Sequence, residues 1–233
     1  MLAFVVATPL LAQSSAVCER SVQYILRGQY DAALRQLEGA KTSGAAPADI
    51  ENVRGLALLL SGETKQALAS FDKALALNPH LSEARLNRAI ARLRLQDFAS
   101  ASKDFEGVYN DERSALRGDA AYHNAIALDK LGRAIDAEEW LSRALTLDPS
   151  LDAALLYSGM LRERRGDLQG AGRAYLDYLK KHPDSATAML RFALSAQKSG
   201  SIDTAKKYLQ RVLEVAPNSA DALEARKYLV MWE

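Results

Sequence analysis

Residue types that build metal and catalytic centres are scarce in this chain of 233 residues. The single Cys18 excludes an internal disulfide framework and any cysteine-rich metal site. The chain has 3 histidines, and no His-x-x-x-His pair can be made from them. Nucleophile elbows, phosphate-binding loops and paired carboxylates are missing as well. The sequence therefore predicts no cofactor and no metal site, and we expect no enzymatic activity.

Excess charge of one sign is also missing. Lys and Arg together number 30 and Asp and Glu 29, which gives a formal net charge of +1. Because the positive and negative charges nearly cancel, the protein has no long-range electrostatic field that would attract a polyanion. We therefore expect no nucleic-acid partner. Apolar residues are abundant instead, because 48% of the chain is hydrophobic and only 6 residues are proline. This composition favours packed helices over disorder.

The first 18 residues carry no charged side chain. Residues 2–12 are almost entirely apolar, but the run is shorter than the roughly 20 residues that a membrane-spanning helix needs. Such a run is typical of a signal peptide, and residues 14–16, or Ala12, supply the small side chains of a cleavage site. We therefore expect residues 1–16 to be a signal peptide of a periplasmic or secreted protein. The alternative is a cytoplasmic protein in which this segment stays uncleaved and packs on the first repeat.

Cys18 has two interpretations. It follows small residues, as the lipid-modified cysteine of a lipoprotein does, but the β-branched Val17 directly before it argues against lipidation. The simpler interpretation is a small apolar residue on the first helix. We therefore expect membrane attachment only if Cys18 carries a lipid.

Turn-forming positions recur every 34 residues along the chain, with one step of 36. These positions are Gly28, Gly62, Gln96, Gly132, Gly166 and Gly200. An alanine stands five residues after each turn, at Ala33, Ala67, Ala101, Ala137, Ala171 and Ala205. Two further columns, meaning sets of positions that are equivalent in every repeat, lie on the same helical face. The first column holds large residues (Leu37, Phe71, Phe105, Leu141, Tyr175, Leu209). The second holds mostly small ones (Ala40, Ala74, Val108, Ala144, Tyr178, Val212). Each unit is therefore predicted to be a helix, a turn, a second helix and a turn.

Prolines end four of the units, at Pro79, Pro149, Pro183 and Pro217. Ser, Asp or Asn follows each proline within a few residues and is suited to begin the next helix. A small residue also recurs in the first helix of each unit, at Ser21, Gly55, Ala89, Ala125, Gly159 and Ala193. A period of 34 residues with this content is similar to the tetratricopeptide repeat family, over about residues 14 to 219 as six repeats.

The resemblance implies an all-α fold, a right-handed α-solenoid of stacked antiparallel helix pairs, with the repeat array over residues 17–219. Residues 220–233 are predicted to form one more amphipathic helix that caps the last hairpin. The side chains available for this cap are Leu223, Tyr228, Leu229 and Trp232. Between the third and fourth repeats, residues 109–117 contain two extra residues and no proline. Either a helix runs on there, or the step divides the array into halves.

Two clusters of charge have structural explanations. Residues 162–166 are predicted to be a helix end with a solvated, charged face, where cations complement the carbonyl dipoles. The third repeat carries the strongest basic patch, formed by Arg85, Arg88, Arg92 and Arg94. Residues 86–89 (Leu-Asn-Arg-Ala) resemble a common variant of the family in which the arginine pairs with an acid of the second helix, so the resemblance implies a structural ion pair between Arg88 and Asp104. The alternative is that the patch binds an anionic ligand.

In the tetratricopeptide family the first helices of successive repeats line a concave groove, and the resemblance locates a partner-binding surface on those helices. Its residues are Asn87, Ile90, Tyr122, His123, Ile126, Leu156, Tyr157, Met160, Arg191 and Leu194. The strip is mainly apolar, so a partner helix or an extended segment with apolar side chains would fit it. Polar neighbours would supply hydrogen bonds, namely Asn87, His123, Tyr157 and Arg191.

The resemblance implies a non-enzymatic scaffold that binds a protein or peptide. The family's receptors for chaperone tails hold a terminal carboxylate with lysines and asparagines, and only Asn87 fits that pattern here. Asp119 and His123 stand where cations would be needed, so we do not expect a receptor of that kind. The first alternative is a cytosolic adaptor or assembly protein. The second is an enzyme or regulatory subunit whose small-molecule site includes His123 and Tyr157. Self-association through the apolar strip is also compatible with the sequence.

Overall fold

A computed structural model describes residues 15–42 and 45–232 of the chain. Thirteen α-helices and a short 3-10 turn at Gly39–Thr42 occur in this part, and no β-strand does. The helices are α1 (Ala16–Leu26), α2 (Tyr30–Glu38), α3 (Pro47–Ser61), α4 (Thr64–Leu77), α5 (Ser82–Arg94), α6 (Phe98–Tyr109), α7 (Arg117–Lys130), α8 (Ala134–Leu147), α9 (Asp152–Arg164), α10 (Leu168–Lys181), α11 (Ala186–Lys198), α12 (Ile202–Val215) and α13 (Ala220–Val230). The all-α prediction is confirmed. Residues 1–14 of the expected signal peptide lie outside the described residues.

The helices turn at the six predicted positions. The backbone φ angles there are left-handed: 72° at Gly28, 98° at Gly62, 63° at Gln96, 78° at Gly132, 83° at Gly166 and 87° at Gly200. This conformation ends a helix, because it lets the next amide bond back to a carbonyl of the last turn. Glycine adopts it without a steric penalty, and Gln96 is the single non-glycine residue with positive φ within the described ranges.

Small and large residues fit together across each hairpin. The six alanines that follow the turns are fully buried, and so are the large residues of the next column. A Cβ on Gly55 would lie 2.5 Å from Cε1 of Phe71, and one on Gly159 would overlap Cε1 of Tyr175. Glycine in the first helix therefore leaves room for the aromatic ring of the second, as close packing requires.

The polar N-cap residues predicted from the sequence are found in two of the four helices that follow a proline. The side chain of Ser185 accepts a hydrogen bond from the backbone of α11, and Ser219 does the same for α13. Leu81 and Leu151 stand instead at the cap positions of α5 and α9, where no side chain accepts such a bond. Leu81 packs against the buried Ala74, Leu75 and Ala84, so apolar packing has replaced the polar cap there.

The chain forms two compact units, and their boundary falls inside α8, between Arg143 and Ala144. In the first unit one apolar cluster surrounds Leu37, and a second surrounds Phe71 and Phe105. In the second unit the apolar cluster includes Met189.

Residues 109–117 neither extend a helix nor divide the array, so both predictions for this segment are wrong. Helix α6 ends at Tyr109, and α6 contacts α7 within the first unit. The connection is held by Asp111, whose carboxylate accepts a 2.8 Å hydrogen bond from the hydroxyl of Ser82. Leu116 anchors the end of the segment, because its side chain is buried in the apolar cluster.

Helix α13 covers the last hairpin with a face that only partly agrees with the prediction. Ala222 and Ala225 are fully buried, and Tyr228, Leu229 and Trp232 pack beside them. Leu223 is 58% exposed, so its expected contribution to the cap is wrong. Successive side chains of an α-helix are about 100° apart around its axis, so Leu223 lies off the face on which Ala222 is buried.

Cys18 is a fully buried residue of α1 and packs in the cluster with Val22 and Ile25. This agrees with the expectation of a small apolar residue on the first helix. Burial raises the pKa of its thiol, so the sulfur is protonated at neutral pH. A lipid on this sulfur would require α1 to leave the core.

Candidate partner-binding surface

The ten predicted groove residues lie on the first helices of four hairpins. Asn87, Ile90, Tyr122, His123 and Ile126 belong to the first unit, on α5 and α7. Leu156, Tyr157, Met160, Arg191 and Leu194 belong to the second, on α9 and α11. The predicted surface is therefore distributed over two compact units.

Burial separates these residues into two groups. The side chains of Ile90, Ile126 and Leu194 are buried, with exposures of 4%, 7% and 7%. Such residues serve mainly as packing between neighbouring helices. Partly exposed side chains remain at Tyr122, His123, Leu156, Tyr157, Met160 and Arg191. These six are the predicted residues whose side chains remain at least partly accessible to a partner.

Asn87 is fully buried, which is at odds with the expectation that it offers hydrogen bonds to a ligand. Its Nδ2 donates a 3.0 Å hydrogen bond to Oδ1 of Asn52, which is itself buried. The two residues lie on α5 and α3, the first helices of consecutive repeats. Asn87 therefore connects repeats, because a buried amide needs a partner and finds one in the first helix of the preceding repeat.

His123 is a half-buried ring stacked on Phe105, with centroids 5.7 Å apart and an interplanar angle of 19°. Its Nδ1 is enclosed and has no hydrogen-bond partner within the part of the chain that the structure describes. Burial lowers the pKa of His123 to about 4. The imidazole is neutral at pH 7 and presents no charge to a partner. Burial also raises the pKa of the adjacent Tyr122.

The basic patch of the third repeat is used for structure. The predicted ion pair is confirmed, because Nη2 of Arg88 lies 2.7 Å from Oδ1 of Asp104. Arg92 binds the other oxygen of the same carboxylate, also at 2.7 Å. Arg88 reaches Asp72 as well, at 2.9 Å. These cations bind the two helices of the repeat and its neighbour, which explains them without a ligand.

A cluster that the sequence did not predict lies in the second unit, around Glu163. This side chain is 9% exposed, so the prediction of a solvated, charged face over residues 162–166 is wrong at this position. Its Oε2 accepts a 3.0 Å hydrogen bond from the hydroxyl of Tyr175, and its Oε1 accepts a 2.9 Å bond from Nζ of Lys198. Arg191 approaches Oε2 to 3.9 Å. Glu163 therefore connects α9 to both α10 and α11.

One feature of the sequence could have located this carboxylate. Tyr175 stands in a column that otherwise holds Leu or Phe, and it is fully buried. A buried tyrosine hydroxyl needs an acceptor, and an acid on the paired helix is the natural one. Burial and the charge of Glu163 raise the pKa of Tyr175, so its phenol keeps the proton that it donates.

The cluster borders a cavity of about 220 Å³ between α9 and α11. Its lining residues are Met160, Glu163, Arg164, Arg191 and Lys198. Two predicted groove residues, Met160 and Arg191, thus meet at one cavity. The guanidinium of Arg164 also lies over the ring of a third, Tyr157, at 6.0 Å from its centroid.

Two other kinds of site are absent from residues 15–42 and 45–232. None of their helices is long and apolar enough to cross a membrane. No three His, Cys, Asp or Glu side chains in these ranges lie close enough together to hold a metal ion.

Sequence comparison identifies the family. The pattern of the tetratricopeptide repeat matches residues 26–82 and 86–152, and a second pattern of the same name matches residues 153–185 and 187–219. The chain belongs to the tetratricopeptide repeat family. Proteins of this family are scaffolds for protein interactions and are typically not catalytic.

Solved structures show the same fold. PilW, described as a widely conserved type IV pilus biogenesis factor, matches with a TM-score of 0.81 and 20% identity over 97% of this chain and 100% of its own. The pilF protein of Pseudomonas aeruginosa matches with a TM-score of 0.79 and 18% identity over 91% and 96%. YrrB, described as a TPR protein with an unusual peptide-binding site, matches with a TM-score of 0.65 and 22% identity over 82% and 97%. At these identities the similarity establishes the helical-repeat fold and nothing about partners.

Proposed function

We propose that this protein is a non-enzymatic scaffold that binds a protein or peptide segment on the first helices of its repeats. The observation that carries the proposal is the partial exposure of apolar side chains on α9. Leu156 is partly exposed, whereas the equivalent Leu86 and Leu190 of other repeats are 1% and 3% exposed. Tyr157 and Met160 are partly exposed beside it.

The proposed surface of the second unit consists of Leu156, Tyr157, Met160 and Arg191. In the first unit, taken by itself, Tyr122 and His123 occupy the equivalent positions of the repeat. Aromatic, methionine and arginine side chains are the types most enriched in protein interfaces. A partly apolar surface with a few polar groups suits an amphipathic helix or an extended segment. The peptide-binding site described for YrrB supports this assignment.

The proposal places the protein in the cell envelope, with a signal peptide at residues 1–16, repeats at 17–219 and a capping helix at 220–233. Two observations support it: the uncharged, apolar start of the sequence and the similarity to PilW, a pilus biogenesis factor. Mass spectrometry of the protein purified from its native cells tests the location. Loss of the first 12 to 16 residues is expected. An intact Met1 would contradict export and favour a cytoplasmic adaptor, and an added diacylglyceryl mass would show a lipid on Cys18.

Binding is tested by selecting peptides from a random display library and measuring their affinity by fluorescence polarisation. Replacing Tyr157 or Met160 by alanine should weaken binding by roughly 1 to 4 kcal/mol, as expected of interface hot spots. Leu223→Ala is the matched control, because it removes an exposed apolar side chain of the same unit that lies outside the proposed surface. Far-UV circular dichroism should be unchanged in all three variants. Equal affinities of Tyr157→Ala, Met160→Ala and the control would refute this surface.

A further inference from the structure

We infer that the cavity between α9 and α11 selects partners with an acidic side chain, whose carboxylate binds between Arg191 and Lys198. The inference rests on the proposed function and makes the class of partner more specific. It follows from the balance of charge around the cavity, from the way Glu163 is held and from the shape of the arginine side chain.

Two cations of α11 face one carboxylate at this cavity. Arg191 and Lys198 have side-chain exposures of 43% and 51%, whereas Glu163 is 9% exposed. Even without Arg164, which also lines the cavity, the positive charges outnumber the negative one. The exposed side of the cavity is therefore cationic, although the whole chain is close to neutral.

Glu163 does not accept a hydrogen bond from the guanidinium of Arg191. The 3.9 Å separation between Nη1 of Arg191 and Oε2 of Glu163 is too long for a hydrogen bond. Within the described part of the chain this is the one ion contact of Arg191, and 43% of its side chain is exposed, so the guanidinium is accessible from solvent. The carboxylate cannot move closer without losing the 3.0 Å hydrogen bond from the buried Tyr175. The arrangement keeps a guanidinium available at the cavity.

An acidic side chain matches these donors. A guanidinium binds a carboxylate through two parallel hydrogen bonds, which an amide or a hydroxyl of similar size cannot reproduce. Met160 forms an apolar part of the same lining and can contact the methylene groups that precede the carboxylate. Partners with an acidic residue next to an apolar one are therefore expected to bind best.

The test uses peptides selected from the random display library against the wild-type protein. Each acidic residue of a selected peptide is replaced in turn by its amide, Glu by Gln or Asp by Asn. One such replacement should weaken binding to the wild type by about tenfold, the usual effect of losing a hydrogen bond between charged groups. The same replacement should change binding to the Arg191→Gln protein by less than about twofold, because the two changes remove one shared contact.

Lys207→Gln is the matched control, because it removes one positive charge from an exposed residue of α12. Arg191→Lys, which keeps the charge but not the planar group, should bind acidic peptides more weakly than the wild type and more tightly than Arg191→Gln. Unchanged helicity and melting temperature of Arg191→Gln would show that the loss is not caused by unfolding.

The outcomes separate this inference from the proposed function. Peptides that depend on Tyr157 and Met160 but tolerate every acid-to-amide replacement would leave the proposed function intact and overturn the inference. An equal loss in Lys207→Gln and Arg191→Gln would also overturn it, because general charge attraction would then explain binding. If no peptide is selected at all, both are rejected.

Discussion

Arg88 and Asp104 form an ion pair with two hydrogen bonds that joins the helices of the third repeat. Nε of Arg88 donates to Oδ2 at 2.8 Å and Nη2 donates to Oδ1 at 2.7 Å. The carboxylate of Asp104 is 9% exposed and also binds Arg92, so it neutralises two guanidinium groups that are about one-fifth exposed. Removing it would leave both cations without their main partner.

The first prediction concerns this carboxylate. Asp104→Asn should lower the free energy of unfolding by about 2 kcal/mol, because it leaves two largely buried cations poorly compensated. Asp72→Asn removes a partner of Arg88 that is 51% exposed and should cost no more than about 0.5 kcal/mol. Urea denaturation followed by circular dichroism measures both. Equal effects of the two variants would contradict a special role for Asp104.

The second prediction concerns packing between α9 and α10. Gly159→Ala should destabilise the protein by about 1 to 3 kcal/mol, because its Cβ would overlap the buried ring of Tyr175. Gly172→Ala should instead stabilise it by about 0.5 to 1 kcal/mol, since its Cβ meets Phe192 at an ordinary 3.5 Å and alanine favours the helix. Thermal unfolding of both variants tests the prediction. Stabilisation by Gly159→Ala would show that the ring can move away.

The third prediction uses the left-handed turn after α5. Gln96→Gly should stabilise the protein by about 0.5 to 1 kcal/mol, because glycine adopts a φ of 63° without the steric cost that a side chain incurs. The reciprocal change, Gly132→Gln at a φ of 78°, should destabilise it by a similar amount. Chemical denaturation of both variants measures the effect, and opposite signs are the required result.

The fourth prediction concerns pH. The pKa of His123 is about 4 in the folded protein and about 6.5 in an unfolded chain, so the unfolded state binds a proton first as the pH falls. The contribution of neutral His123 to the free energy of unfolding is therefore fully present above pH 6.5. This contribution decreases as the pH falls to 4, by about 3 kcal/mol at most.

His123→Phe keeps a ring against Phe105 and removes this titration. The difference in free energy of unfolding between wild type and variant should change between pH 6.5 and pH 4, whereas the effect of carboxylates cancels in that difference. Parallel pH profiles for wild type and His123→Phe would show that His123 does not titrate in this way.

The sequence predicted the local design of each repeat with little error. Turn positions, buried alanines and large apolar residues were all located from their spacing, because a helix places residues three or four apart on one face. The pairing of Arg88 with Asp104 was also predictable, since both belong to one hairpin. Errors occurred where a residue depends on a neighbouring repeat, as Asn87 does on Asn52.

The candidate site was predicted less completely than the fold. The sequence placed Tyr157, Met160 and Arg191 on one surface, and the structure brings Met160 and Arg191 to one cavity. It did not predict Glu163, whose partners Tyr175 and Lys198 lie on two other helices. Residues 162–166 were predicted to be a solvated helix end from the dipole of α9 alone. That prediction did not include α10 and α11, whose side chains bind Glu163.

By itself the sequence determined an all-α array of hairpins, because helical periodicity and turn chemistry act over a few residues and recur in every repeat. The tertiary structure decided which residues of the first helices are exposed and where the two compact units divide. It also decided which cations remain available at the cavity beside α9. These properties depend on contacts between residues about 35 positions apart, and such distances are set only when neighbouring repeats pack together.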